Sequence, residues 1–330
     1  MPKTSITSPK PNMAKPARAL AVLLALAAIL MLPAPGTQAA PAAPGFPWLG
    51  RAILPAAEGV FIKAGYAAEA PPQDRAQIEY AAKKLADAAR DWFSGSRLFF
   101  AIVPNKWYWL AEPPLPRTEP GDVAAILAAA LPEAKYIDIS GLLGLSHYYR
   151  TDSHWDQRYL MPVAEALADA MGLGVRLYPE DGLTVRERAP YRGLYSRKYG
   201  LPLMPDTIYT LHCAAIDAAH MDGPALPAPM PLYWEEKLES LDPYSVYTGG
   251  VHSVVTIYSP LAKTNRELVV FRDSFASSLA PLLALGYSKI TLIDLRFVPE
   301  KLLGKYIEPS GQDVLFLYST LMLGSGAQLK

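Results

Sequence analysis

Residues 267–295 read ELVVFRDSFASSLAPLLALGYSKITLIDL, and the pattern predicts a strand over 267–271, a helix over 275–285 and a strand over 289–295. The two apolar runs are typical of strands buried on both faces, which belong to parallel sheets covered by helices. Similar elements are predicted on either side: a helix over 73–93, a strand over 98–103, a helix over 121–131, and strands near 136–139 and 314–317. This strand–helix–strand alternation indicates an α/β fold with a central, mostly parallel sheet.

The remaining segments predict how the chain is organised around that sheet. Residues 154–171 have the apolar spacing of an amphipathic helix. Residues 174–260 read as a long insertion with short strands near 175–178, 207–213 and 251–258, separated by Pro and Gly. Residues 41–75 are rich in Ala, Pro and Gly and read as a loose leading segment. We therefore expect one domain over 76–330 that contains the insertion.

Residues 1–40 have the layout of a secretory signal peptide. A start with Lys3, Lys10, Lys15 and Arg18 and no acidic residue precedes an apolar run over 19–32, and small residues follow. The run is shorter than the roughly 20 residues that span a bilayer. An uncleaved N-terminal anchor is the alternative interpretation. Either one predicts that the folded part works outside the cytoplasm, in the periplasm, at the cell surface or secreted.

The composition excludes several classes of protein. Of 330 residues, 51% are hydrophobic and 19% are charged, which rules out wholesale disorder. Lys plus Arg and Asp plus Glu both total 31, and this balance argues against nucleic acid as a partner. Cys213 is the only cysteine, so the chain has no internal disulfide and no cysteine-rich metal site.

Ser274 is the first residue that could carry chemistry, because it follows the strand predicted over 267–271. Ligands collect at the carboxyl ends of the strands in an open α/β sheet. A hydroxyl at such a turn is exposed there, and the amides of the following helix start could stabilise an oxyanion. The alternative is that Asp273 or Ser274 only caps the helix, since both residue types are favoured caps.

Asp152 and His154 supply the partners that a nucleophilic serine needs. A serine hydroxyl requires a base to take its proton, and the base works best when an acid holds its other nitrogen. Residues two apart in an extended segment point to the same side, so Asp152 could orient His154. Alternatively, Asp152 is a helix cap and His154 a partly exposed histidine. A metal site with His147 as a further ligand lacks a third ligand at convincing spacing.

Several motifs together resemble a known family. They are VPNK at 103–106, TDSHW at 151–155, YRGLYSRKYGL at 191–201, YTGG at 247–250, RDSF at 272–275 and IDLRF at 293–297. With these motifs in this order, the sequence resembles the DHHW family, which is related to the SGNH-hydrolase-like proteins of bacterial polysaccharide O-acetylation, including the alginate O-acetylation proteins. The resemblance runs from about residue 97 to 300.

The resemblance implies an SGNH-hydrolase-like three-layer α/β/α fold and a Ser–His–Asp triad. Ser274 matches the nucleophile, His154 the base and Asp152 the acid, and no metal or organic cofactor is implied. The chain departs from the family at Ser153, where the family name implies a second His, and at Arg272, where SGNH enzymes usually have Gly. Val251-His252 follows Gly249-Gly250 where many relatives have Asn, which could donate to the oxyanion. Either His252 replaces that Asn, or the oxyanion hole consists of the Ser274 amide and Gly250.

Other residues near these motifs are candidates for substrate binding. Tyr149 and Trp155 flank the Asp-x-His pair and could stack on sugar rings, although they could equally pack the rim of the core. Lys106 and Arg272 could hold an anionic sugar, although solvated or ion-paired surface charges are equally consistent with their positions.

The function implied is a serine-dependent O-acyltransferase or esterase that acts on acetyl groups of a cell-surface or secreted polysaccharide. A membrane O-acyltransferase partner would supply the acetyl group. The alternative is a catalytically inactive SGNH-like protein that binds polysaccharide or assembles an export complex.

Overall fold

The computed structural model of the protein describes residues 54–330, except 58, 72, 73, 114, 228 and 310. The signal peptide or anchor predicted over 1–40 lies outside the described residues. Within them, no helix is long and apolar enough to cross a membrane.

The strands of the described residues form three sheets. They are β1 (Leu54–Ala57), β2 (Val60–Lys63), β3 (Tyr66–Glu69), β4 (Arg97–Val103), β5 (Lys135–Tyr136), β6 (Thr184–Tyr191), β7 (Asp206–His212), β8 (His220–Asp222), β9 (Met230–Pro231), β10 (Val254–Tyr258), β11 (Glu267–Arg272), β12 (Lys289–Ile293) and β13 (Asp313–Ser319). Eight of them make the central sheet, in the order β5-β4-β13-β11-β12-β10-β8-β9. From β5 to β12 neighbouring strands are parallel, and from β12 to β9 they are antiparallel. The sheet is therefore mostly parallel, as the sequence predicted.

Helices cover both faces of this sheet. The α-helices are α1 (Arg75–Trp92), α2 (Trp107–Leu110), α3 (Pro120–Ala130), α4 (Met161–Ala170), α5 (Leu194–Tyr199), α6 (Ala214–Ala218), α7 (Ala276–Leu283) and α8 (Thr320–Leu323). Short 3-10 helices lie at Ser140–Leu142, Leu145–His147, Gln157–Tyr159, Glu235–Glu239, Pro243–Val246, Glu300–Lys305 and Gly326–Gln328.

The side chains of β13 alternate between the two faces of the sheet and so show how the layers form. Phe316 and its alternate neighbours join the core cluster under α1 and α3, whereas Leu315 and Leu317 join the cluster under α4 and α7. Because successive side chains of a strand point to opposite faces, a strand buried on both faces must be apolar throughout. The result is the three-layer α/β/α architecture that was expected.

The helix predicted over 154–171 is shorter than its apolar pattern suggested. A 3-10 turn over Gln157–Tyr159 is capped by the Asp156 carboxylate, which accepts from the Arg158 amide, and α4 begins only at Met161. Pro162 follows, and proline is favoured in the first turn of a helix because it lacks an amide donor. His154 consequently lies in the irregular segment before the helix and not on it.

The predicted insertion contributes to the central sheet. Within 174–260, β8, β9 and β10 extend that sheet at one edge, while β6 and β7 form a separate antiparallel pair. The strand predicted at 175–178 is absent from this described segment. The described part of 41–75 holds the three-stranded antiparallel sheet β1-β2-β3, which the sequence analysis did not predict.

Candidate active site

Ser274 lies in the turn between β11 and α7, at the carboxyl edge of the parallel strands. Asp273 holds this turn together: one carboxylate oxygen accepts from the Phe275 amide at 3.0 Å, and the other accepts from the Ser319 amide at 2.8 Å. Because Asp273 occupies that role and also links β11 to the end of β13, the hydroxyl of Ser274 is left for another partner.

That partner is His154. The Ser274 Oγ lies 2.7 Å from His154 Nε2, and His154 Nδ1 lies 2.5 Å from Asp152 Oδ1. The three predicted side chains are therefore joined in one hydrogen-bonded chain, although 120 residues separate Ser274 from His154. With Nδ1–H donated to the carboxylate, Nε2 presents its lone pair to the serine hydroxyl, which is the arrangement of a general base.

Asp152 is buried and fully engaged. Its Oδ2 accepts from the Leu194 amide at 2.7 Å, and its Oδ1 also accepts from the His154 amide at 3.1 Å. Burial alone would raise the pKa of Asp152, but the neighbouring His154 and the hydrogen bonds outweigh it and hold that pKa well below its usual range. The carboxylate is consequently ionised and fixed in orientation.

Gly193 permits this tight packing around Asp152. A Cβ at position 193 would lie 2.3 Å from the Asp152 Cβ and 2.7 Å from both the Asp152 Oδ2 and the Thr151 carbonyl oxygen. The amide of Gly193 also donates to Thr151 Oγ1 at 2.8 Å. Gly193 lies in the motif at 191–201, but its close approach to Asp152 could not be predicted from that motif. The only signal in the sequence was that glycine has no side chain.

Tyr244 supports the other side of His154. The two rings stack with centroids 3.8 Å apart and an interplanar angle of 9°, and the Tyr244 hydroxyl lies 2.8 Å from Ser278 Oγ. An aromatic face favours a cation lying over it, so this stack suits the imidazolium form that a proton-accepting histidine adopts. Nothing in the local sequence marks Tyr244 as a neighbour of His154.

Trp155 and Tyr149 are packing residues. Trp155 is fully buried, and its indole N–H donates to the Phe275 carbonyl at 3.0 Å and to Ser278 Oγ at 2.9 Å. Tyr149 is also buried, with its hydroxyl 3.3 Å from that of Tyr247. The prediction that they stack on sugar rings does not fit, because both side chains are almost completely buried. Trp155 instead ties the segment of His154 to the start of α7.

Lys106 is buried beneath the same segment. Its ammonium donates to the Tyr149 carbonyl at 2.7 Å and lies 5.8 Å and 5.3 Å from the ring centroids of Tyr66 and Tyr195. Burial lowers the pKa of Lys106 to about 7, although the nearby Asp152 and another carboxylate oppose the shift. The expected role in holding an anionic sugar does not fit a side chain that is enclosed in this way.

Arg272 connects the loop that contains Gly250 and the half-buried His252 to the helix after Ser274. Arg272 is fully buried and donates to Ser277 Oγ at 2.8 Å and to the Gly250 carbonyl at 3.3 Å. The Gly250 amide donates to the Tyr247 carbonyl at 3.1 Å, and His252 Nε2 contacts the Gly249 carbonyl at 3.1 Å. The predicted oxyanion donors Gly250 and His252 are thus engaged within their own loop, and Arg272 connects that loop to α7.

The loop has an unusual backbone. Thr248, Gly249 and Gly250 have φ values of 51°, 72° and 86°, and the left-handed region is costly for a β-branched residue such as Thr248. A Cβ on Gly250 would lie 2.4 Å from Ser245 Oγ. Glycines are therefore needed here both for conformation and for space.

A second hydrogen-bonded chain has similar connectivity but a different environment. His212 Nε2 lies 2.9 Å from Thr210 Oγ1, and His212 Nδ1 lies 2.6 Å from Asp217 Oδ1. Thr210 is completely buried, so no substrate could reach its hydroxyl. Across the described residues, no group of three or more His, Cys, Asp or Glu side chains could hold a metal ion.

Comparisons with known proteins show where else this fold occurs. No protein-family model and no curated protein matches the sequence. Among solved structures, a DHHW family protein from Eubacterium siraeum has a TM-score of 0.65 at 18% identity, over 82% of this chain and 92% of that chain. Bacillus cereus PatB1, in a structure with a sulfonyl adduct, has a TM-score of 0.62 at 17% identity, over 80% of this chain and 95% of that chain. The likeness confirms the predicted fold: this chain has the α/β/α fold of a DHHW family protein and of PatB1.

Proposed function

We propose that the protein is a serine-dependent acyltransferase or esterase that moves acetyl groups to or from the hydroxyls of a polysaccharide. One observation carries the proposal: the continuous hydrogen-bonded chain from Ser274 through His154 to an ionised, buried Asp152. A buried carboxylate directed at a histidine, which in turn contacts a serine hydroxyl, is the arrangement that activates a serine nucleophile.

The reaction would proceed in two balanced steps. Ser274 Oγ attacks the acetyl carbonyl carbon while its proton passes to His154 Nε2, and the imidazolium then protonates the departing oxygen of the donor. An acetyl ester on Ser274 results. In the second step a sugar hydroxyl, or water, attacks that ester, gives its proton to His154 and releases Ser274 with its proton restored. Asp152 stays ionised and holds Nδ1–H throughout.

The charge that develops on the carbonyl oxygen needs donors. The Ser274 amide has no hydrogen-bond partner within the described part of the chain and lies at the start of the turn into α7. Since the amide of Gly250 and the ring of His252 are occupied, we assign the Ser274 amide as an oxyanion donor.

The substrate class and the setting follow from the resemblance of the motifs. It supports a cell-surface or secreted polysaccharide as the substrate, a membrane O-acyltransferase as the partner that delivers acetyl groups, and work outside the cytoplasm. The sulfonyl adduct of PatB1 supports a test, because sulfonyl fluorides react with activated hydroxyl nucleophiles.

The test measures labelling of the full chain by phenylmethylsulfonyl fluoride, together with hydrolysis of 4-nitrophenyl acetate. Ser274 Oγ would displace fluoride from sulfur, and mass spectrometry would locate the adduct on Ser274. We expect no adduct in Ser274→Ala and a rate lowered by about 100- to 10,000-fold in His154→Ala.

The matched control is His212→Gln, which breaks the other histidine chain and should keep wild-type labelling. Circular dichroism would establish that each variant is folded. Equal labelling in wild type and His154→Ala, or an adduct on other residues alone, would refute the proposal and favour the alternative of an inactive polysaccharide-binding or export-complex protein.

A further inference from the structure

A cavity of about 360 Å³ lies beside the segment that carries Asp152 and His154. Residues on both sides of that segment line it, among them Arg150, Arg158 and Tyr159, together with Tyr66 and Tyr209. Ligand pockets in proteins usually occupy about 300–1,000 Å³, so this cavity is large enough for one small ring and too small for a long chain segment.

Neighbouring groups hold several of the side chains that line the cavity. The Arg158 guanidinium lies 3.6 Å from the centroid of the Tyr209 ring, and Asp156 holds it through a hydrogen bond of 2.6 Å from Nη2. Tyr159 stacks on the His147 ring, with centroids 4.6 Å apart and an interplanar angle of 9°. These contacts hold the two tyrosine rings in position before a ligand arrives, which lowers the entropic cost of binding.

The backbone between the cavity and Asp152 is clamped from two sides. Asp206 accepts from the amides of Arg150 and Thr151, each at 2.8 Å, and from Thr151 Oγ1 at 2.6 Å. From the other side, Lys106 donates to the carbonyl of Tyr149 at 2.7 Å. The buried ammonium of Lys106 and the half-buried carboxylate of Asp206 thus both fix this backbone.

Among the polar groups of the cavity that make no hydrogen bond within the described residues are one arginine side chain and several tyrosine hydroxyls. Within the described residues, the exposed Arg150 guanidinium makes no hydrogen bond, and its closest interaction is with the Tyr66 ring, 6.0 Å away at the centroid. The hydroxyls of Tyr66, Tyr159 and Tyr209 likewise have no partner in the part of the chain that is described. The cavity therefore combines aromatic faces with uncommitted donors and acceptors.

We propose that this cavity is a subsite for one pyranose unit of a glycan, a reading that deepens the proposed function and rests on it for the identity of the acceptor. A pyranose presents C–H faces that stack on tyrosine rings, and its ring substituents bond to arginine and to hydroxyls. Arg150 is two residues from Asp152, so their Cα atoms are at most about 7 Å apart. A bound unit would therefore lie next to the backbone segment that carries Asp152 and His154.

The experiment measures binding of maltohexaose and of hexagalacturonate to the full chain carrying Ser274→Ala, by calorimetry and by saturation-transfer NMR. We expect Arg150→Gln and Tyr159→Ala each to weaken binding by about tenfold. Arg150 takes part in the fold through its backbone, so its substitution should leave the melting temperature unchanged. Preference for one of the two probes would establish whether the unit is neutral or acidic.

Matched controls are Arg176→Gln, at another exposed arginine, and Tyr306→Ala, because Tyr306 and Tyr159 are both 37% exposed. The proposal is overturned if neither probe binds, or if the cavity variants bind as tightly as these controls. Sulfonyl labelling of Ser274 in the cavity variants separates the two proposals. If the cavity variants are labelled normally but no longer bind the oligosaccharide, the subsite is supported. If the wild type is not labelled but the oligosaccharide still binds, only the acyl-transfer function is refuted.

Discussion

Gly193→Ala is the substitution for which the structure makes the sharpest prediction. The new Cβ would lie 2.3 Å from the Asp152 Cβ, whereas ordinary contacts begin at 3.4 Å, so the gap must open by 3.4 − 2.3, or about 1 Å. The neighbouring backbone cannot absorb this movement easily, because the Thr151 carbonyl oxygen lies only 2.7 Å away on the same side. Asp152 must therefore move away from Leu194, from His154, or from both.

The expected effect is larger on chemistry than on stability. Overpacking of a buried site costs about 1–3 kcal/mol in the free energy of unfolding. A displacement of about 1 Å in a catalytic group can lower a rate by about 100-fold. We therefore expect Gly193→Ala to fold, to melt several degrees lower than the wild type, and to label with phenylmethylsulfonyl fluoride about 100-fold more slowly.

The assay compares the second-order rate of Ser274 sulfonylation with the melting temperature for each variant. Gly141→Ala is the matched control, because a Cβ there would meet no atom within 4 Å. If Gly193→Ala labels as fast as Gly141→Ala, then the close approach of Gly193 does not determine where Asp152 lies, and the reasoning is wrong.

Three further predictions concern residues around the site. The pKa of Lys106 is about 7 in the folded protein and about 10.4 in the unfolded chain, so between these pH values the unfolded chain binds one more proton. The free energy of unfolding therefore increases with pH in this range, and Lys106→Met should abolish that increase. The wild type should then gain stability relative to the variant between about pH 7 and pH 10, and a constant difference in melting temperature would contradict this. Tyr244→Leu should slow the labelling of Ser274 by about tenfold, whereas Tyr244→Phe keeps the ring under His154 and should label normally; equal rates in the two would refute the stacking argument. His212→Gln should lower only the melting temperature, and a slower labelling rate would show that the second histidine chain is coupled to the first.

The sequence predicted those parts of the fold that depend on local pattern. The apolar runs at β11, β12 and β13 could be assigned because a strand buried on both faces leaves few polar positions. The start of α4 could not, because the apolar spacing continues through 154–160 and only the choice of caps decides where the helix begins. Asp156 and Pro162 are both compatible with a helix start, but only the folded structure shows that the helix begins at Met161.

The site shows the same division. Ser274, His154 and Asp152 were found through short motifs whose residue types carry chemistry. Lys106 was misread because lysine is almost never fully buried unless it is paired, and its compensation comes from backbone carbonyls and aromatic rings that are distant in sequence. Tyr149 and Trp155 were misread because residue type does not reveal whether an aromatic face is free.

Two buried aspartates near Ser274 explain why the arrangement favours one orienting acid over the other. Asp273 is adjacent to Ser274 in sequence, yet both of its oxygens accept from amides, those of Phe275 and Ser319. Asp152 has one oxygen fixed by the Leu194 amide, and its other oxygen accepts from the imidazole as well as from the amide of His154. Only the second arrangement couples a carboxylate to the imidazole of His154. The backbone donors around each carboxylate therefore determine which aspartate reaches the imidazole, and adjacency to Ser274 in the chain does not determine it.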